Sequence, residues 1–324
     1  MKAQSGMNTP AKRPAQMETR TGSPKIPRPR KIPVYPLSEY GSEAAQGAPF
    51  FVGRFEESSR LAPKRLRLHR HDFHEVFWLM GRGRFFCDFQ EYTIASPTLV
   101  FVSPGQIHSW TPSPSLAGPM ICFSQSFHDG AEPPPSSLLG LPFWFSGEAP
   151  PLLAVSPSDV PKVDTLWTEL AAEASGSEEN REEILRLRLR LLLQTAARIF
   201  RRTKPDSHPA TRPNQALAHQ FRMALEMHFC EARSIPAYAR MLKSTTGHLS
   251  ESVLQHTGRT AGELIRERLL LEAQRLLIHS SMNVAEIAVA LQFEDPSYFS
   301  RFFRRGTGMS PGEFRDQFLK KYPN

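Results

Sequence analysis

Two stretches near the C-terminus repeat each other, and this constrains the fold more than any other feature. TGRTAGELIRE (257–267) echoes TGMSPGEFRDQ (307–317). Gly258 and Gly308 are 50 residues apart, as are Leu249 and Phe299, and Val253 and Phe303. Ala239 to Ala288 and Leu242 to Leu291 are spaced 49, so the second unit is one residue longer inside its turn. Two units with the same apolar positions and the same glycine must fold in the same local way.

The second unit is the easier to read. Asn283 opens N-x-x-E with Glu286, the pattern of a reciprocal helix cap. Ile287, Ala288 and Leu291 then share a face. The chain turns at Gln292-Phe293-Glu294. Asp295 is the next cap, and Pro296 suits the first helical position. Phe299, Phe302 and Phe303 share a buried face of that helix. Ser297, Ser300, Arg301 and Arg304 point elsewhere, with Arg305 near its end. A short helix, a tight turn and a second helix, apolar inside and Arg/Ser outside, is a helix-turn-helix. The repeat predicts a first unit with helices near 236–243 and 246–256. A helix over about 262–279 joins the two, with Ile265, Leu269, Ala273, Leu276 and Leu277 on it. At 1.5 Å per residue it spans roughly 27 Å. With its flanking helices it could set two reading helices about one DNA turn, ~34 Å, apart.

From about 215 to 318 the sequence resembles the AraC/XylS family of bacterial transcription regulators. VAEIA, DPSYFSRFFRR, TG and SPGEFR match the family signature in order and spacing. Gln292 departs from it, because the family usually has Gly there. A non-Gly residue strains a left-handed turn, so a locally adjusted turn is expected. The resemblance implies that Ser297 and Arg301 face the major groove, with Ser300 on the same polar side. Arg can clamp guanine O6 and N7. Arg304 and Arg305 resemble phosphate contacts, which fix register. On the first reading helix Gly247, Ser250 and Glu251 face the groove. Glu251 either accepts from a cytosine amino group or pairs with a neighbouring arginine.

Net charge adds little to this. The chain carries +8, but residues 1–33 alone hold +7 and the region from Asn214 onward only +3. The high pI is therefore mainly a property of a tail. Residues 1–45 are Pro-, Lys-, Arg- and Ser-rich with few apolar side chains, and read as disordered. No run of eighteen apolar residues and no signal-peptide core is present, so no membrane partner is expected. Cys87, Cys122 and Cys230 are scattered, with no zinc or disulfide pattern. A reducing cytoplasm is the simplest home.

Residues 50–125 change character. FFVGRFEE, RLRLHRH, EVFWLM, RFFCDFQEYTI and TLVFVSPG are short aromatic or β-branched segments between Gly and Pro. They predict a sandwich or barrel. His69-x-His71-x3-Glu75, with His108 downstream in SPGQIHSW, resembles the two motifs of the cupin barrel. Alternation places His69 and His71 on one face, with His74 out of phase and outward. The resemblance implies a polar cluster that lines a ligand pocket or buttresses the barrel. No cofactor is assigned, although the same His69, His71, Glu75 and His108 would suit a divalent metal such as Fe(II), Mn(II), Zn(II) or Ni(II). Trp78, Phe85, Phe101 and Trp110 either line the pocket or form its core.

Residues 126–160 resist assignment. Two helices follow, near 160–174 and 181–203. In the second, Leu185, Leu189, Leu192, Ala196 and Ile199 make one apolar stripe, fit for a homodimer partner or for the chain's own barrel. TKPDSHPATRPN (203–214) is a Pro-rich linker. The expected organisation is a tail (1–45), an all-β cupin-like effector-sensing barrel (46–158), a helical linker and candidate dimerisation region (159–213), and an all-α double helix-turn-helix domain (214–324). The function this implies is a sequence-specific transcription regulator rather than an enzyme. Its partners would be double-stranded promoter or operator DNA, a small-molecule effector and, as a candidate contact, RNA polymerase. A metal-dependent cupin enzyme with a DNA-binding appendage is the alternative.

Overall fold

A computed structural model describes residues 32–40, 49–95, 97–111, 114–130, 138, 141–144, 150–203 and 212–321. The strands are β1 (Val34–Tyr35), β2 (Phe50–Arg54), β3 (Arg70–His71), β4 (His74–Leu79), β5 (Arg82–Cys87), β6 (Gln90–Ala95), β7 (Thr98–Val102), β8 (His108–Thr111), β9 (Pro119–Phe123) and β10 (Leu152–Ala154). The helices are α1 (Phe55–Leu61), α2 (Gln125–Asp129), α3 (Val160–Ser175), α4 (Arg181–Thr203), α5 (Arg212–His228), α6 (Ile235–Met241), α7 (Thr246–Thr257), α8 (Ala261–His279), α9 (Val284–Ala290), α10 (Pro296–Thr307) and α11 (Pro311–Lys321).

The N-terminal half is cupin-like and antiparallel, but its sheets do not close into one ring among the described residues. One sheet has the order β10-β7-β4-β9-β2 and the other β6-β5-β8. Period-two alternation makes the larger sheet bury both faces. Phe77, Leu79, Val100, Val102, Met120 and Cys122 meet Phe85, Ile94 and Trp110 of the smaller sheet. On the opposite face Val76, Trp78, Phe101, Ile121 and Phe123 pack under α3 and α4. The result is three layers: small sheet, large sheet, helices.

This layering decides several expectations. Phe85 and Trp110 lie between the sheets, whereas Trp78 and Phe101 belong to the helix-covered side. Trp78 Nε1 donates to Asp164 of α3 at 2.7 Å. The α4 stripe is consumed by the chain's own sheet, since Leu185, Leu189, Leu192, Ala196 and Ile199 are all buried there. His74 is out of phase as expected but not outward. It is buried against Phe123 and Trp144, because the face opposite Glu75 is covered too.

The boundary of the tail also needs correction. Residues 1–31 and 41–48 lie outside the described residues, but 32–40 are packed. Ile32 and Tyr40 are buried, and β1 pairs in parallel with β3. The segment carries Ile32, Val34, Tyr35, Leu37 and Tyr40, enough apolar surface to offset its ordering. Of the expected linker, 204–211 lies outside the described residues.

In the C-terminal half the two repeats build separate cores on one shared helix. The first half of α8 closes the core of α5, α6 and α7, and the second half closes that of α9 and α10. The tight β5–β6 turn joins the two halves of the molecule. Asp88 and Phe89 both adopt positive φ, 44° and 71°, as a two-residue hairpin turn requires. Phe89 packs edge-on against Phe314 and Phe318 of α11, which offsets the strain of a bulky residue in that conformation.

Candidate nucleic-acid interface and buried histidine cluster

The two helical units match in their turns and in the ends of their second helices. Gly258 and Gly308 end α7 and α10 in the left-handed conformation, with φ of 71° and 81°. Only glycine takes that conformation without penalty. Thr257 donates to the carbonyls of Val253 and Arg259, and Thr307 to those of Phe303 and Met309. Thr260 with Glu263, and Ser310 with Glu313, then cap the following helices. Asn283 and Glu286 form the reciprocal cap of α9.

The turns match as well. Ser244 N–H reaches the Ala239 carbonyl at 2.9 Å and Phe293 N–H the Ala288 carbonyl at 2.8 Å. Lys243 and Gln292 stand at the equivalent left-handed position, with φ of 51° and 57°. The expected adjustment at Gln292 is therefore absent. The Phe293 ring holds the turn, against Phe299, Phe302 and the Arg233 guanidinium. Arg233 also donates to the Leu291 carbonyl at the end of α9.

On α10, Phe299 and Phe303 are wholly buried and Phe302 is half-buried. Asp295 accepts from the N–H groups of Ser297 and Tyr298 at 2.9 and 3.2 Å, which fixes the start of the helix. Ser297, Arg301, Arg304 and Arg305 are exposed. Ser300 is half-buried and spends its hydroxyl on the Pro296 carbonyl, at 3.0 Å. On α7, Ser250 is half-buried. Glu251 is exposed and accepts from Gln255, at 2.9 Å, not from an arginine. Motif matching missed Tyr298, a large aromatic left 56% exposed on α10 beside Arg301. Its signal was its phase: it falls off the Phe299/Phe303 face.

His69, His71 and His108 come together in the structure, with His69 and His71 on one face. All three are buried, with ligating atoms all within 4.8 Å of one another. Glu75 Oε2 lies 3.2 Å from His71 Nε2 and 3.4 Å from His108 Nε2. His69 Nδ1–H donates to the Arg67 carbonyl at 2.7 Å and His108 Nδ1–H to that of Gln106 at 3.2 Å. With Nδ1 as its donor, neutral His69 turns its Nε2 lone pair inward, as metal-binding histidines do. Burial and the neighbouring imidazoles hold His69 neutral, well below its usual pKa. Glu75 loses solvation, but His71 and His108 outweigh this and keep its carboxyl far below the usual range. The Cys122 thiol donates to its other oxygen at 3.6 Å. Glu75, His69 and His108 line a cavity of about 20 Å3, and with His71 beside them they would hold one water or one divalent ion. The sequence missed the lid on the cluster: Tyr40 lies 3.4 Å from His71 Nε2.

A family profile described as a helix-turn-helix domain matches residues 238–317, both units and the joining helix. The transcriptional activator RhaS of Escherichia fergusonii is 28% identical over 257 residues, covering 76% of this chain and 86% of its own. Residues 238–317 therefore carry a helix-turn-helix domain, and the chain is similar along most of its length to AraC-type transcriptional activators. Another relative, the activator RhaR of an Enterobacter species, is 22% identical over 253 residues, 78% of this chain and 88% of its own. Among solved structures, ToxT from Vibrio cholerae aligns at TM-score 0.38 and 14% identity, over 82% of this chain and 97% of that one. The DNA-binding domain of AdpA in complex with a target DNA aligns at TM-score 0.31 and 28% identity, over 33% and 96%. Among the described residues no helix is long and apolar enough to cross a membrane.

Proposed function

We propose that this protein is a sequence-specific DNA-binding transcription regulator whose β-rich half senses a small molecule. The observation that carries the reading is the duplication of the helix-turn-helix in its turns and glycine C-caps, with Ser297, Arg301, Arg304 and Arg305 exposed on a helix anchored by buried phenylalanines. α8, of 19 residues, would set α7 and α10 into successive major grooves on one DNA face.

Effector binding would act through the contact between the two halves, by favouring one of two arrangements. Leu187 and Leu191, each 53% exposed on α4, support pairing of two copies. A promoter-bound dimer could then touch RNA polymerase. The histidine cluster serves sensing or support in this reading, not turnover, with or without a divalent ion held by His69, His71, Glu75 and His108.

Selection from a random duplex library tests the proposal. A regulator enriches one motif with two half-sites. Arg301→Ala should relax a single base position in it. Enrichment of no motif would refute sequence-specific binding.

A further inference from the structure

The internal repeat pairs the outer faces of α7 and α10 residue by residue. At a spacing of 50, Gly247 corresponds to Ser297, Ser250 to Ser300, Glu251 to Arg301, Leu254 to Arg304 and Gln255 to Arg305. At each of the three positions where α10 carries arginine, α7 carries something else. α7 has no Lys or Arg at all. The inner faces remain alike, since Leu249 and Val253 are buried as Phe299 and Phe303 are. The two helices are seated in their units in the same way but present different chemistry outward.

On a helix of 3.6 residues per turn, Gly247, Ser250, Glu251 and Leu254 fall within an arc of about 100°, opposite Leu249 and Val253. Glu251 is exposed, and Leu254 is 48% exposed. An added Cβ at Gly247 would meet nothing within 4 Å, so no packing inside the chain calls for glycine there. Glycine weakens a helix. What it gives in return is outward, a closer approach of the start of α7 to a groove floor.

Charge and shape narrow what this face reads. A carboxylate turned to a duplex is repelled by the phosphates, and gains only where it meets a base N–H. Its partner in the major groove is the cytosine amino group. Gln255 donates to Glu251 Oε1 at 2.9 Å, along the helix. That bond orients the carboxylate and takes one of its roughly four acceptor sites. A leucine in the place of Arg304 cannot bind phosphate, and its partner in the major groove is a thymine methyl group. Three residues separate Glu251 from Leu254, a rise of ~4.5 Å. Successive bases of one strand are ~3.4 Å apart, so the two side chains suit neighbouring base pairs.

We infer that α7 selects bases without anchoring phosphate: Glu251 accepts from a cytosine amino group and Leu254 packs on a thymine methyl group one step away. Both helices lie in major grooves on the proposed function, on which this rests. The labour of the two units is then divided. α10 supplies the cationic grip with its own base contact, and α7 supplies discrimination that salt does not weaken.

The test uses the full chain and the site it selects from a random duplex library. The half-site under α7 should hold a C and a T on neighbouring base pairs. Uracil in place of that thymine removes only the methyl group, and should weaken the wild type roughly fivefold and Leu254→Ala not at all. Glu251→Gln should lower the preference for the cytosine by about fivefold or more. Leu254→Ala should leave the salt slope of binding unchanged, whereas Leu254→Arg should steepen it by about one. Both positions are exposed, so the variants should melt with the wild type. Uracil without effect at every thymine of the half-site, an unchanged cytosine preference in Glu251→Gln, or a shallower salt slope in Leu254→Ala would each overturn the inference. A chain that enriches no motif refutes the proposed function and this inference with it. One that enriches a motif indifferent to both α7 variants refutes this inference alone.

Discussion

Arg275 of α8 holds Asp88 of the β5–β6 turn through two hydrogen bonds, at 2.6 and 3.0 Å, across 187 residues of sequence. Both side chains are more than nine-tenths buried. Gln106 also donates to Asp88, at 2.9 Å, and its own carbonyl accepts from His108. One connected set of bonds therefore runs from the histidine cluster to the helix that joins the two DNA-reading units.

Breaking this pair from one side should be costly. Asp88→Ala leaves a buried guanidinium uncompensated and should destabilise the chain by about 3–5 kcal/mol. Asp88→Ala with Arg275→Met should recover much of that loss. Denaturant titration of the two single variants and the double variant measures the coupling. Additive effects would show that the pair carries no shared energy.

Acid should weaken the same interface through His279. Burial first, then the nearby Arg70 charge, lower its pKa to about 4. Its unfolded value is ~6.5, so between those values the unfolded chain binds more protons. His279 thus contributes stability that is present above about pH 6.5 and is lost as pH falls towards 4. Stability of wild type and His279→Gln, compared at pH 7 and 5, should show a smaller loss in the variant. Equal losses would place the acid sensitivity elsewhere.

The turns offer a change of opposite sign. Gln292 and Lys243 hold left-handed conformations in which a side chain costs free energy. Gln292→Gly should raise stability by about 0.5–1 kcal/mol, net of the flexibility glycine adds to the unfolded chain. Thermal melts of the two proteins check it. A lower midpoint in the glycine variant would mean the Gln292 side chain makes a compensating contact.

These turns show where sequence reading works. Caps at Asn283 and Asp295, and the phase of Phe299 and Phe303, are local, so helix positions were legible residue by residue. Period two likewise put His69 and His71 on one face, and the resemblance to the cupin motifs added Glu75 and His108. Coverage of a face is not local. His74 looked outward because nothing near it in sequence predicts α2 and Trp144 on top of it. The α4 stripe left its partner open for the same reason. Asp88 and Arg275 gave no signal at all, since an acidic turn residue and a helical arginine are ordinary until the halves meet. Tyr40 was lost in the composition of the tail around it.

The histidine cluster makes a further prediction. Zn(II) or Ni(II) should raise the melting temperature of the wild-type chain and leave His71→Ala and His108→Ala unaffected. Each metal-free variant should remain folded, since Phe77, Phe85 and Trp110 carry the core around it. Equal shifts in wild type and variants would place the ion at some other site.

On the proposed function, the arginines of α10 should divide by role. Arg301→Ala should cost about 1–3 kcal/mol of discrimination at one base position. Arg304→Ala and Arg305→Ala should weaken all sequences alike and each reduce the salt slope by about one. Binding isotherms on the selected site and on scrambled DNA, at several salt concentrations, separate the two behaviours. A uniform loss with Arg301→Ala would move that residue to the phosphate class.

The central claim is that two matched units read DNA together, and footprinting of the selected site at physiological salt tests it most directly. The account predicts protection of two neighbouring major grooves on one face, about 10 bp apart. It also predicts that this pattern survives removal of residues 1–31. Diffuse protection that vanishes with those residues would contradict it, and would assign DNA binding to the basic segment instead.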